Sequence, residues 1–146
     1  MNTSENNAPH PDDTGTFDTA SQAIMIYLAA FEAMDADTIT TLLGDNALLE
    51  VPLLKPNRLF GESEIRRGHE AAFGRMKSAK FEETHPVEEK EGNAICFGDL
   101  VLEFKNGERQ RHQTGIVAEV TRNGLKRISI YFNSRNIRRW ADETIV

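Results

Sequence analysis

Two Asn-Gly pairs constrain this chain more than any other feature. Asn106-Gly107 and Asn123-Gly124 each sit between long runs that favour extended backbone. Asn and Gly both tolerate the left-handed conformation that a tight hairpin demands, so each pair predicts a chain reversal. Ala94–Phe104 reads as one strand, Lys105–Glu108 as its turn and Arg109–Thr121 as the return strand. Arg122–Gly124 is the second turn, and Leu125–Asn133 is the last strand. Strands joined in this way form an antiparallel meander. Ahead of it, Phe81–Glu89 is extended and acidic.

The first half of the chain has a different period. Ala20, Ala23, Ile24, Tyr27, Phe31 and Met34 recur at helical spacing, predicting an amphipathic helix from about Thr19 to Met34. Thr19 with Gln22 resembles a capping box at its start. Asp35 or Asp37 caps a second, short helix through Ile39, Leu42 and Leu43, closed by Gly44. Ala47–Pro52 reads as a short strand ended by proline, and Leu53–Phe60 as a loop. Gly61 opens a third helix, Glu62 to about Ala79, whose stripe of Ile65, His69, Ala72, Phe73 and Met76 carries a histidine on its apolar face. Arg135–Ala141 has the pattern of a final helical turn that would lay Ile137 and Trp140 on the body. Helices first and strands second, in 146 residues, predict one α+β domain. The expected architecture is a curved antiparallel sheet wrapped around three helices, with an apolar pocket between them.

Composition narrows what such a domain can do. With 17 basic against 23 acidic residues the formal charge is -6, so the basic surface that nucleic acid requires is absent, and Arg138-Arg139 is an isolated pair. No run is long and apolar enough to span a membrane. A single cysteine, Cys96, excludes an internal disulfide and a cysteine-rich metal site, and its apolar surroundings make it a small buried hydrophobe. His69, His85, His112 and Asp99 lack metal-ligand spacing, so neither a metal nor another cofactor is expected. Residues 1–17 are polar and read as a disordered tail containing His10, leaving 18–146 as the folded domain. The lone cysteine, and the lack of a basic start followed by an apolar run, lead to the expectation of a reducing, cytoplasmic setting.

Several local patterns then coincide in order and spacing: Tyr27-Leu28-Ala29-Ala30-Phe31 on the first helix, Leu42 to Pro52 leading into the first strand, Gly61 through Ile65-Arg66 opening the third helix, and Asn123-Gly124 followed by Ile128 to Phe132. Together they resemble the nuclear transport factor 2-like superfamily over about Thr19 to Ala141. That group includes ketosteroid isomerases, limonene epoxide hydrolases, SnoaL-like polyketide cyclases and scytalone dehydratases. The resemblance implies a cone-shaped half barrel with a deep pocket open at one end, and commonly a homodimer through the outer face of the sheet. It implies an oxyanion-donor position at Tyr27 and places His69 where ketosteroid isomerases carry a second tyrosine. Their general-base aspartate falls at Val51, and their second acid near Thr114 or Gly115. Of the epoxide hydrolase Asp-Arg-Asp set, one aspartate matches Asp99, the arginine falls at Phe97 and the second aspartate at Ile130. A polyketide cyclase-like histidine on the long strands would be His112.

The candidate catalytic residues are therefore Tyr27, His69, Asp99 and His112, with Val51, Phe73, Ile130 and Phe132 as candidate walls. Asp99 divides two arguments. Strand alternation puts Cys96, Gly98, Leu100, Leu102 and Phe104 on the covered face and sends Asp99 outward, whereas the family count points it into the pocket. His112 shares an inward face with Thr114, Ile116 and Ala118. Arg58 and His85 read as loop residues. Two functions remain open. One is a cofactor-free acid-base enzyme of isomerase, cyclase, dehydratase or hydrolase type, acting on a small, mostly apolar molecule with Tyr27 as hydrogen-bond donor. The other is a non-catalytic module that binds a hydrophobic ligand or dimerises, which the apolar Val51 and Ile130 favour. An adaptor that docks proteins, like the transport factor that names the group, would need an exposed apolar patch.

Overall fold

A computed structural model describes residues 17–52 and 56–132. The polar tail to Thr16 with His10, the start of the loop after the first strand, Arg138-Arg139 and the final turn with Ile137 and Trp140 lie outside the described residues. The elements run α1 (Ala20–Glu32), α2 (Ala36–Leu42), β1 (Leu43–Glu50), β2 (Arg58–Phe60), α3 (Gly61–Arg75), β3 (Met76–Lys90), β4 (Asn93–Phe104), β5 (Arg109–Thr121) and β6 (Gly124–Phe132). The strands form one open six-stranded sheet in the order β2-β1-β6-β5-β4-β3. Its concave face is filled by the helices, which gives the expected cone-shaped half barrel.

α1 begins as its sequence requires. Thr19 Oγ1 accepts the Gln22 amide at 3.1 Å, and Gln22 Oε1 accepts the Asp18 amide at 2.6 Å, so two orphan donors are satisfied at the helix start. Its buried stripe is Ala20, Ala23, Ile24, Tyr27, Leu28 and Ala30. Two carboxylates lash the helix to β3. Glu89 accepts the Ser21 amide at 2.9 Å near the start of α1, and Glu32 near its end accepts the Phe81 amide at 2.7 Å. α2 is capped by Asp35, which accepts the Thr38 amide at 3.1 Å.

The sheet departs from a plain meander in two ways. β1 runs parallel to β6, with Leu49 opposite Ile128 and Glu50 opposite Ser129. β2, expected as loop, is a three-residue strand antiparallel to β1. Periodicity is not readable over so short a run, and a parallel neighbour distant in sequence leaves no local signal. The second helix ends at Leu42 rather than at Gly44, and β1 starts at Leu43. Gly44 instead lies against the β5–β6 turn. A Cβ on Gly124, whose φ is +130°, would stand 2.8 Å from the Leu42 carbonyl oxygen and 2.9 Å from the Gly44 amide nitrogen. The close approach of these two segments therefore excludes any side chain at Gly124.

α3 stops at Arg75, short of the expected Ala79, because Met76 to Val101-paired Lys80 hydrogen-bond to β4 instead. Tertiary pairing overrides the helix propensity of that stretch. β3 carries register shifts at Met76/Ser78, Glu83/His85 and His85/Glu88. These irregularities bend the strand, and Pro86 is accommodated because β3 is a sheet edge. Beside them, Glu91 (φ 54°) and Gly92 (φ 82°) make a third tight hairpin turn, which Glu-Gly signals more weakly than Asn-Gly.

Candidate active site

Between the helices and the concave face lies a cavity of about 470 Å³, open at one side. Leu49 and Val51 of the first strand segment, Leu100, Ile116, Ile130 and Phe132 of the later strands, and Leu28 and Phe31 of α1 give it apolar walls. Leu59 of β2 closes it against α3, where a Cβ on Gly68 would stand 2.3 Å from Leu59 Cδ1. The glycine makes room for that contact.

Two polar side chains meet in this setting. Tyr27, one turn from Ala23 on the buried stripe of α1, and His69, one turn from Ile65 on α3, are 2% and 4% exposed, and both line the cavity. The Tyr27 hydroxyl and His69 Nε2 are 2.9 Å apart, and His69 Nδ1 lies 2.8 Å from the Ile65 carbonyl oxygen. A carbonyl only accepts, so Nδ1 carries the ring proton in the neutral imidazole. Nε2 then has the lone pair, and Tyr27 donates to it. An unpaired buried hydroxyl or imidazole would cost about 1–3 kcal/mol, and the pairing removes that penalty. Aromatic packing holds the ring: Phe31 and Phe73 lie 6.2 and 5.8 Å from His69 and 5.2 Å from each other. Burial depresses the His69 pKa, opposed in part by the Ile65 carbonyl, and burial raises that of Tyr27 far above its ordinary value. The pair is neutral at neutral pH.

The remaining candidates separate. Val51, Ile130 and Phe132 line the cavity. Phe73 is not among the lining residues; it backs His69 and Phe31. His112 is inward and fully buried, but its ring packs on Phe132 at 5.5 Å rather than reaching the cavity lining. Its Nε2 donates to Gln110 Oε1 at 2.8 Å, and Gln110 Nε2 donates to Glu108 Oε2 at 3.1 Å, a polar chain running toward the β4–β5 turn. Asp99 corrects the family count. It lies on the outer face, opposite Gln113 and Glu82, and pairs with Arg111 at 2.9 Å, while Cys96, Gly98, Leu100, Leu102 and Phe104 are buried on the other face. Alternation along the strand decided its direction.

The sequence reading passed over Thr114 as a cavity group. Its side chain lines the cavity, and its Oγ1 donates to the His112 carbonyl at 2.7 Å. The alternation with His112 that placed it inward was the available signal. Arg58, expected as a solvated loop residue, reaches Glu50 Oε2 at 3.0 Å. Glu50 also accepts from Arg127 and, at 3.3 Å, from Ser129. The hydrogen bond from Arg127 is the main reason that the Glu50 carboxyl lies below the usual glutamate range. Burial pushes the Cys96 thiol up to about 11, so it is not a thiolate. Among the described residues, no group of three or more His, Cys, Asp or Glu is placed to hold a metal, and no helix is long and apolar enough to cross a membrane.

No family model matches the sequence, and no curated protein matches it. Solved structures do. A provisionally assigned SnoaL-like polyketide cyclase from Shewanella denitrificans superposes with a TM-score of 0.73 at 9% identity, over 86% of this chain and 98% of that one. An LEH-like epoxide hydrolase of M. tuberculosis gives 0.68 at 20% identity, over 86% and 91%. A hypothetical protein with a ketosteroid isomerase-like fold from Catenulispora acidiphila, in complex with trimethylamine, gives 0.71 at 8% identity, over 85% and 95%. Likeness at this level of identity concerns architecture, and folds of this kind carry many chemistries. The helix order, the curved open sheet and these superpositions agree that the chain has the nuclear transport factor 2-like fold.

Proposed function

We propose that the protein is a cofactor-free acid-base enzyme acting on a small, mostly apolar organic molecule bound in the cavity. The observation that carries this reading is the Tyr27–His69 pair, hydrogen-bonded at 2.9 Å in the wall of an otherwise greasy cavity. Apolar cavities with a few convergent polar groups are the usual form of small-molecule sites. The tautomer gives the pair a direction. A proton leaving the substrate, or a water beside it, passes to the Tyr27 oxygen while the Tyr27 proton passes to His69 Nε2. The imidazolium so formed keeps its Nδ1–H on the Ile65 carbonyl. Tyr27 thus serves as the relay and His69 as the base, and reactions that begin by proton removal (isomerisation, cyclisation, addition of water) fit this arrangement. His112, behind Phe132, takes a positioning role through its contact with that wall residue, and Asp99 takes none in the cavity.

A panel of apolar ring compounds bearing epoxide, carbonyl or hydroxyl groups, assayed for product by mass spectrometry, tests the reading. Turnover lost in both Tyr27→Phe and His69→Ala supports it; turnover retained in both sinks it. A specific observation favours the second reading, a binding module without catalysis: among the described residues, no carboxylate lines the cavity. Binding with no turnover across the panel would select it.

The outer face of the sheet supports a homodimer. Phe97 and Tyr131, 44% and 48% exposed, stand on either side of Gly115 in one row across β4, β5 and β6. Sedimentation of the protein against a Tyr131→Glu variant checks this, with dissociation to monomer as the expected outcome.

A further inference from the structure

Hydroxyl groups in a cavity are usually counted as donors and acceptors alike. Here both have their protons committed to the protein. Tyr27 donates to His69 Nε2, a direction fixed by the Ile65 carbonyl on Nδ1. Thr114 Oγ1 donates to the His112 carbonyl at 2.7 Å. With its proton used, each hydroxyl has only lone pairs left to offer a ligand, one from the helical wall and one from the sheet wall. Besides His69, the described lining side chains that carry N–H donors, Asn57 and Arg75, are solvent-exposed.

We infer that the buried part of the cavity selects a neutral ligand that brings its own hydrogen-bond donor: an alcohol, phenol or enol on an apolar ring body. A carbonyl, ether or carboxylate in the same place would set lone pairs against lone pairs and stay unsatisfied, which is how a polar site rejects an analogue of the wrong type. An ammonium also donates, but among the described residues no carboxylate lines the cavity to neutralise a desolvated cation. This inverts the expectation that Tyr27 acts as a donor to a carbonyl. It rests on the cavity being the ligand site, as in the function proposed above, and not on turnover there.

Matched pairs that differ only at the polar atom read this out: 2-decalol with 2-decalone, and cyclohexanol with cyclohexanone. Affinities are measured by calorimetry, and the site is located by NMR shift changes at Tyr27 and His69. The alcohol is expected to bind about tenfold more tightly than the ketone in each pair. Thr114→Val is expected to reduce the preference. His69→Leu removes the acceptor of the Tyr27 proton, so Tyr27 becomes a donor and the preference moves toward the ketone; if that variant is poorly folded, the wild-type and Thr114→Val measurements still decide. Equal affinity, a ketone preference in the wild type, or no binding by any of the four compounds overturns the inference. Binding mapped to the cavity without alcohol preference overturns the inference alone, whereas binding mapped elsewhere overturns the proposed site as well.

Discussion

The two faces of one sheet handle polarity in opposite ways. On the outer face, Glu50 sits among Arg58, Arg127 and Ser129, and Asp99 and Glu82 share Arg111. On the inner face, no carboxylate is among the described residues that line the cavity, and the buried polar side chains there, Tyr27, His69 and Thr114, are neutral and paired within the protein. Charge in this molecule is placed where arginine and water can compensate it, and the cavity keeps groups that exchange protons only by becoming charged against a solvation penalty. In the function proposed above, proton transfer in the cavity rests on the neutral Tyr27–His69 pair.

The largest effect expected from breaking this arrangement is on catalysis. Tyr27→Phe and His69→Ala should each lower turnover by about 10²–10⁴-fold, the usual range for a lost acid-base group, measured at saturating substrate once one is found. Turnover should fall on the acid side with a midpoint below the ordinary histidine pKa of 6.5, since burial depresses His69. The same shift makes a stability statement with a definite sign. The contribution of neutral buried His69 is fully present above about 6.5 and is lost as pH falls from there through its folded value. Thermal unfolding of wild type and His69→Gln across that window should converge at low pH.

Carrying an outer-face charge to the inside comes next. Ile116→Asp puts an unpaired carboxyl on the cavity wall and should cost roughly 3 kcal/mol or more in chemical unfolding. Below that in size, Glu50→Gln weakens charge-assisted bonds to two arginines and should cost about 1–3 kcal/mol. Glu50 is held below its ordinary pKa of 4.5, so its contribution is present above that value and disappears as pH falls through the lowered one. The stability gap between wild type and Glu50→Gln should therefore close in acid. Asp99→Asn should be the mildest, under about 1 kcal/mol, because its pair with Arg111 is half exposed. A large loss of turnover in Asp99→Asn would break the comparison between the faces.

Much of this architecture was legible in advance because its signals are local. The two Asn-Gly turns, the α1 stripe and the Thr19–Gln22 cap each depend on residues within a few positions of one another, and each stands where the sequence puts it. The parallel β1–β6 pairing and the short β2 are contacts between distant segments, and nothing nearby encodes them. The site divides in the same way. The helical stripes brought Tyr27 and His69 to the same interior, and alternation sent Asp99 out, against a count by family position. Which atom of His69 bears the proton depended on the Ile65 carbonyl one turn back, a hydrogen bond that sequence spacing permits but does not announce.

The direction of the hydrogen bond between Tyr27 and His69 is the point on which the proposed chemistry and the ligand class both depend, and nitrogen NMR of the His69 ring reads it directly. At neutral pH the account predicts a protonated, pyrrole-type Nδ1 and an unprotonated, pyridine-type Nε2. A protonated Nε2, in either the other neutral tautomer or the imidazolium, would contradict it.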